Sequence, residues 1–220
     1  MVEYSEIIIN PFKFYDQKIQ SESKLTMSFL IVLAYSLLLT IANIFMGLYI
    51  FKFVTYSDEI LKKIFQSTVM FTLIYNGLSN LIIWIIITLL FYIVAKLFFE
   101  KVSSKKMIEL TGYAFLPPVI YSIIFLGITF FLFLNDSPAF TIDAVNQDLI
   151  LKYIYNIPTL KILNYIKYIF FGWSLWLCLI YIKKMFKTNY VKALIIIVVP
   201  LLVLFGCSRI AKIITQYFIM

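Results

Sequence analysis

Charge is missing from this chain in five tracts, Leu25–Phe51, Ile64–Ala95, Leu110–Asn135, Tyr168–Ile182 and Ala193–Ser208, and this restricts the fold more than any other feature. A helix in water needs polar side chains on its outer face. These tracts offer too few. The hydrocarbon core of a bilayer accommodates about 20 helical residues, and only structures that pair all their backbone groups internally can cross it. The chain therefore reads as all-α, a polytopic membrane protein. Its architecture is a bundle of five transmembrane helices with short amphipathic interfacial helices. Spans are expected near 25–51, 69–99, 110–134, 162–182 and 193–214, in a membrane domain of residues 25–220 that follows an N-terminal segment of residues 1–24.

Composition agrees with this, since 63% of the 220 residues are hydrophobic and only 14% are charged, too few to solvate a globular surface. The net charge of +8 does not imply nucleic acid, because the lysines gather beside particular spans instead of forming one basic domain. Lys183, Lys184 and Lys187 are placed to meet anionic headgroups of membrane lipids. Histidine is absent and the spans hold almost no acid, which leaves little for a metal site or a proton relay. No nucleophile, base and orienting group can be assembled, and no phosphate-binding glycine loop is present. Neither enzymatic activity nor a cofactor is expected. Cys178 and Cys207 lie in apolar tracts and read as small buried hydrophobes. The segment before Lys24 contains Glu3, Glu6 and Asp16 and does not read as a secretory signal.

In chain order, Asn10 and Pro11 suit an N-cap and a first helical position. Phe12, Tyr15 and Ile19 then give an apolar stripe, expected to lie on the membrane interface. In span one, Ser36, Thr40, Asn43 and Gly47 share a face. Asn76, Gly77 and Asn80, continued by Trp84 and Thr88, form the polar patch of span two. These nine residues are the candidate helix-packing or cavity face, turned inward because amides in an apolar span need partners. Ser57 is the expected cap of an amphipathic element, residues 56–68, that runs into span two.

Gly112, Tyr113, Pro117 and Pro118 open span three, where the missing proline amides leave carbonyls near Tyr113 and Ala114 without helical partners, giving either a kink at the headgroup boundary that sets the packing angle or a discontinuous helix framing a site or hinge. The connector after Asn135 is acidic, with Asp136, Asp143 and Asp148, but lacks calcium-loop spacing. Its start reads as a turn and its latter half as a short helix. Pro158 suits the first position of the next helix. Lys167 and Lys183 enclose a short uncharged stretch, so Lys167 either snorkels to the interface or is a buried charge marking a functional position.

Lysine excess sets the orientation. Lys96–Glu109 carries four lysines against two acids, and Lys183–Lys192 carries four lysines and no acid. Lys52–Lys63 has three against two, and Asn135–Lys161 two against three. The second and fourth connectors are thus expected inside, with the N-terminus cytoplasmic and the C-terminus outside.

Five spans, a polar cytoplasmic N-terminal segment, Gly112-Tyr113 followed by Pro117-Pro118, and an early Asn10-Pro11 with Phe12 and Phe14 resemble the Yip1 domain, specifically its small prokaryotic members. The resemblance runs from Asn10 to about Ile214. It implies a non-enzymatic integral protein of the prokaryotic cell membrane, acting as a scaffold or interaction protein in membrane organisation or trafficking. Eukaryotic relatives engage small Rab-type GTPases through long N-terminal extensions, which the short segment before Leu25 does not match. The partner would be an unidentified membrane or cytoplasmic protein, or a second copy in a homodimer. The alternative is a small transporter or lipid-handling protein, with a cavity reaching Asn80, Pro117 and Lys167.

Overall fold

Prolines and short polar side chains start most of the helices. The computed structural model describes residues 5–52, 54–56, 58–135, 142–143 and 157–219, excepting the side chains of 142–143 and 207–219. A one-turn helix, α1 (Glu6–Ile9), leads into α2 (Pro11–Gln20). Asn10 caps α2 by accepting the Lys13 N–H at 3.2 Å, while Pro11 takes a position that needs no amide proton.

Helix α3 (Leu25–Phe51) is followed by α4 (Glu59–Lys96). Ser57 lies outside the described residues; Asp58 serves as the cap, its Oδ1 accepting the Leu61 N–H at 2.6 Å. The amphipathic turns and the second apolar tract are one continuous helix of 38 residues, about 57 Å long at 1.5 Å per residue. It stops at Lys96, short of Phe99.

The third tract is two helices, α5 (Ser104–Tyr113) and α6 (Leu116–Asn135). Ser103 Oγ starts α5 by accepting the Lys106 N–H at 3.3 Å, and the Ala114 N–H closes it on Thr111 O at 3.1 Å. Pro117 and Pro118 consequently sit in the first turn of α6, where missing amide protons cost least.

Helices α7 (Pro158–Met185) and α8 (Tyr190–Ile219) complete the chain. Lys187 adopts φ 47° beyond the end of α7. There the Thr188 N–H bonds Lys183 O at 3.1 Å and the Lys187 N–H bonds Lys184 O at 3.3 Å, the paired bonds of a Schellman turn. Asn189 Oδ1 then caps α8 by accepting the Lys192 N–H at 3.0 Å. Pro200 lies within α8 and cannot donate to the preceding turn.

Two short strands, β1 (Val54–Thr55) and β2 (Ile142–Asp143), pair in parallel, Val54 with Ile142 and Thr55 with Asp143. Asp136 and Asp148 lie outside the described residues, as do the expected turn after Asn135 and the short helix of that connector. Among the described residues, Leu25–Phe51, Glu59–Lys96, Ser104–Asn135 and Pro158–Met185 are long and apolar enough to cross a membrane, and Tyr190–Gly206 is a shorter apolar helix.

The chain divides into two compact units. One comprises Met1–Phe29, Ile83–Ala114 and Leu175–Met220, with Phe14, Tyr15, Leu110, Tyr113, Leu177 and Tyr181 fully buried. The other comprises Leu30–Ile82 and Phe115–Ser174. Its core sets Met46, Tyr49 and Leu132 against Ile50, Phe125 and Ile128, and Val54 packs against Leu61 and Phe65. Large apolar side chains such as Phe71, Ile169, Val191 and Leu202 face outward, a surface suited to lipid and not to water.

Candidate functional site at the N-terminal helix

Helix α2 buries a face different from the one its apolar spacing indicates. Pro11, Phe14, Tyr15 and Lys18 are buried, while Phe12 is exposed and Ile19 only half-buried. The expected stripe of Phe12, Tyr15 and Ile19 is therefore only partly correct. A lysine occupies the buried side because its partner is a carboxylate more than 90 positions later.

That carboxylate is Glu109, on the last turns of α5, with no exposed surface. Lys106 Nζ donates to Glu109 Oε2 at 3.0 Å, and Lys18 Nζ lies 3.2 Å from Oε1. Two ammonium groups thus share one carboxylate, leaving a surplus positive charge. Lys106 accommodates it by donating to Lys18 O and Ser21 O, each at 2.8 Å. These carbonyls end α2, where the helix dipole is negative. Lys18 Nζ also lies 5.0 Å from the centre of the Tyr113 ring, a cation–π distance.

Aromatic rings enclose the cluster. Phe14 meets Tyr113 edge-on at 5.2 Å, and Tyr15 packs against Tyr181 at 5.8 Å. The Thr111 and Tyr181 hydroxyls share a 2.8 Å hydrogen bond between α5 and α7. The Tyr15 hydroxyl is buried and has no hydrogen-bond partner among the described residues. Burial pushes its pKa well above the ordinary 10. Gly112 lets α3 approach, since a Cβ there would lie 2.5 Å from Ser28 Cβ. Lys184 of α7 also holds α2, pairing with Asp16 and lying 5.5 Å from the Phe12 ring. Phe12 also meets Trp176 edge-on at 6.1 Å.

Of the candidate packing face, one portion assembles between α3 and α4. A Cβ at Gly77 would overlap Thr40 Oγ1 and fall 2.7 Å from Thr40 Cα, so the two backbones nearly touch. Thr40 donates to Ser36 O at 2.7 Å, and the Asn43 amide crosses to Leu73 O at 3.1 Å. Gly47 faces the Leu73 and Met70 side chains.

The rest departs from expectation. Asn76 faces outward instead of inward, because it lies about 100° from Gly77 on the same helix. The Asn80 amide turns back to Asn76 O and Gly77 O at 3.0 and 2.9 Å. Trp84 and Thr88 are buried and belong to the other unit.

Lys167 is exposed and not a buried charge. Its position on α7 lies on the outward-facing side with Tyr168 and Ile169. The buried charges are Lys18, Lys106 and Glu109. They escaped the sequence reading because lysines beside a span resemble topology signals. The signal available was Lys106 and Glu109 at helical i, i+3 spacing, immediately before an apolar run.

The Yip1 domain matches residues 5–208. Over 135 residues the chain is 31% identical to an uncharacterized protein of Methanocaldococcus jannaschii, covering 58% of this chain and 88% of that protein. No solved structure matches the chain.

Proposed function

Since the chain belongs to the Yip1 domain family, and is on that basis a membrane protein, we propose that it acts as a non-enzymatic scaffold or interaction protein in membrane organisation or trafficking. The observation carrying this reading is where the buried charge lies. Lys18 and Lys106 share the Glu109 carboxylate, with the surplus charge held on the carbonyls that end α2, where α2 docks on α5. A coupled transporter would instead need ionisable groups along its spans. The cluster makes α2 a fixed platform, with Phe12, Gln17 and Gln20 facing outward toward an unidentified membrane or cytoplasmic protein.

The same contacts support an orientation. Helix α2 joins α5 through Glu109 and α7 through Lys184, so the N-terminal segment and the second and fourth connectors share a side. The lysine excess of the two connectors favours the cytoplasmic face of a prokaryotic cell membrane, with the C-terminus outside after five crossings. Lys183 and Lys187 would meet anionic headgroups there; Lys184 is engaged by Asp16.

The test is photocrosslinking from Gln17 in native membranes. It is expected to capture one discrete protein, with capture lost in Glu109→Gln, which releases the platform. Flux of a solute through liposomes containing the purified chain, abolished by Asn80→Ala, would overturn the scaffold in favour of a transporter.

A further inference from the structure

Helix α4 carries a largely exposed polar stripe. Thr68, Thr72, Asn76 and Ser79 recur at intervals of four, four and three, which places them on one face. Thr68, Thr72 and Asn76 are exposed and Ser79 is half-buried. Thr72 donates to Thr68 O at 2.9 Å and Ser79 to Asn76 O at 3.0 Å, so these hydroxyls are satisfied on their own helix. The Asn76 side-chain amide makes no hydrogen bond to any described residue. In contrast, the Asn43 and Asn80 amides both find carbonyls within the chain.

Depth makes this amide informative. The uncharged tract runs from Ile64 to Ala95. Asn76 is about 18 Å from its start and about 28 Å from its end at 1.5 Å per residue, well inside a hydrocarbon core about 30 Å thick. Water cannot satisfy two amide donors and a carbonyl acceptor at that depth.

We propose that this face is the contact between two copies of the chain, with Asn76 bonded to the partner copy's Asn76 across a two-fold axis. The best complement of an amide is another amide at the same depth, one donating where the other accepts. Two copies inserted in the same sense are related by an axis along the membrane normal, which brings equal depths together. In two copies so related, each chain must present to the other, at this level, the same donor and acceptor that its own amide needs. This chain already does. Thr72 and Ser79 beside Asn76 are small enough for close helix approach. The stacked rings of Phe71 and Tyr75, 6.4 Å apart and both strongly exposed, supply surface to bury at the edge.

The test uses the full chain with Cys178→Ala and Cys207→Ala. In native membranes, Asn76→Cys is expected to oxidise to a species of twice the chain mass. Leu78→Cys, also exposed but on roughly the opposite side of α4, is expected to stay monomeric. Dimerisation measured in liposomes over a range of protein-to-lipid ratios should weaken about tenfold in Asn76→Leu and be largely retained in Asn76→Gln. The Asn76 side chain makes no bond to any described residue, so Asn76→Leu should remain folded. Monomers at every density, an unchanged dimer fraction in Asn76→Leu, equal crosslinking from Leu78→Cys, or an Asn76→Cys adduct of any other mass would each overturn the proposal.

Discussion

Removing the charge of Glu109 while keeping its shape leaves two lysine ammonium groups buried beside each other. Breaking a buried ion pair by removing one partner costs about 3–5 kcal/mol, so Glu109→Gln should lose that much. A large fall in apparent melting temperature in detergent would show it. Replacing both ends with apolar groups can be far cheaper than stranding one of them. The double variant Lys18→Met with Glu109→Leu keeps Lys106 on its two carbonyls, and should melt above Glu109→Gln. If it melts lower, the pair contributes more than its mutual neutralisation. Lys187 is a second position where one residue decides the energetics. Its φ of 47° is the left-handed conformation that glycine adopts without a Cβ penalty. Lys187→Gly should therefore stabilise the α7 terminus by about 1 kcal/mol, read from the same melts. Neither feature was legible in sequence. Lysine at the end of a span reads as a topology signal, and a Schellman turn without glycine lacks its usual marker.

Between helices, glycine contributes through what its missing side chain lets approach. At Gly77 an added Cβ meets the Thr40 backbone at 2.7 Å, which no rotamer change can relieve. Gly77→Ala should force α3 and α4 apart and cost about 1–3 kcal/mol, as overpacked sites do. At Gly47 the obstacles are the ends of flexible side chains, Leu73 Cδ1 at 2.9 Å and Met70 Sδ at 3.1 Å. Gly47→Ala should thus be much milder. Gly172→Ala meets nothing within 4 Å and serves as the control, expected near neutral. Equal losses at all three sites, measured by resistance to denaturing detergent, would mean that helix entropy and not close approach sets the effect. Ser36, Thr40, Asn43 and Gly47 were readable as a face because their spacing is local. That face meets Gly77, while Asn76 points outward; a shift of one residue turns a helix by about 100°. Polar spacing on one helix shows that a face exists, but only the neighbouring backbone shows where it points. The starts of α2 and α7 were readable from Asn10-Pro11 and Pro158 because capping is a short-range interaction. The cap of α4 fell to Asp58, since Ser57 and Asp58 are both competent caps and their order does not choose between them.

For the molecule as a whole, the all-α membrane class was legible from charge-free tracts alone, because lipid imposes a single requirement on the backbone. What the tracts could not show is that α2 is tied to α5 and α7, since the contacts join residues 88 and 168 positions apart. Those contacts make sidedness testable without reference to the rule that suggested it. Gln17 is next to Lys18, Lys101 precedes α5, and Asn189 follows α7; all three are exposed. If the Lys18–Glu109 and Asp16–Lys184 contacts exist in the membrane, single cysteines at these positions must react from one and the same side, whichever side that is. A cysteine at Asp58, separated from Lys101 by the single crossing of α4, must react from the other. With Cys178 and Cys207 replaced, an impermeant maleimide applied to intact cells should label Asp58→Cys, and should reach Gln17→Cys, Lys101→Cys and Asn189→Cys only after the membrane is opened. Uniform reversal of all four would keep the contacts and refute only the lysine-based orientation. Labelling of Gln17→Cys from the side opposite Lys101→Cys would refute the docking of α2 itself, because an ion pair 3.2 Å long cannot span a bilayer.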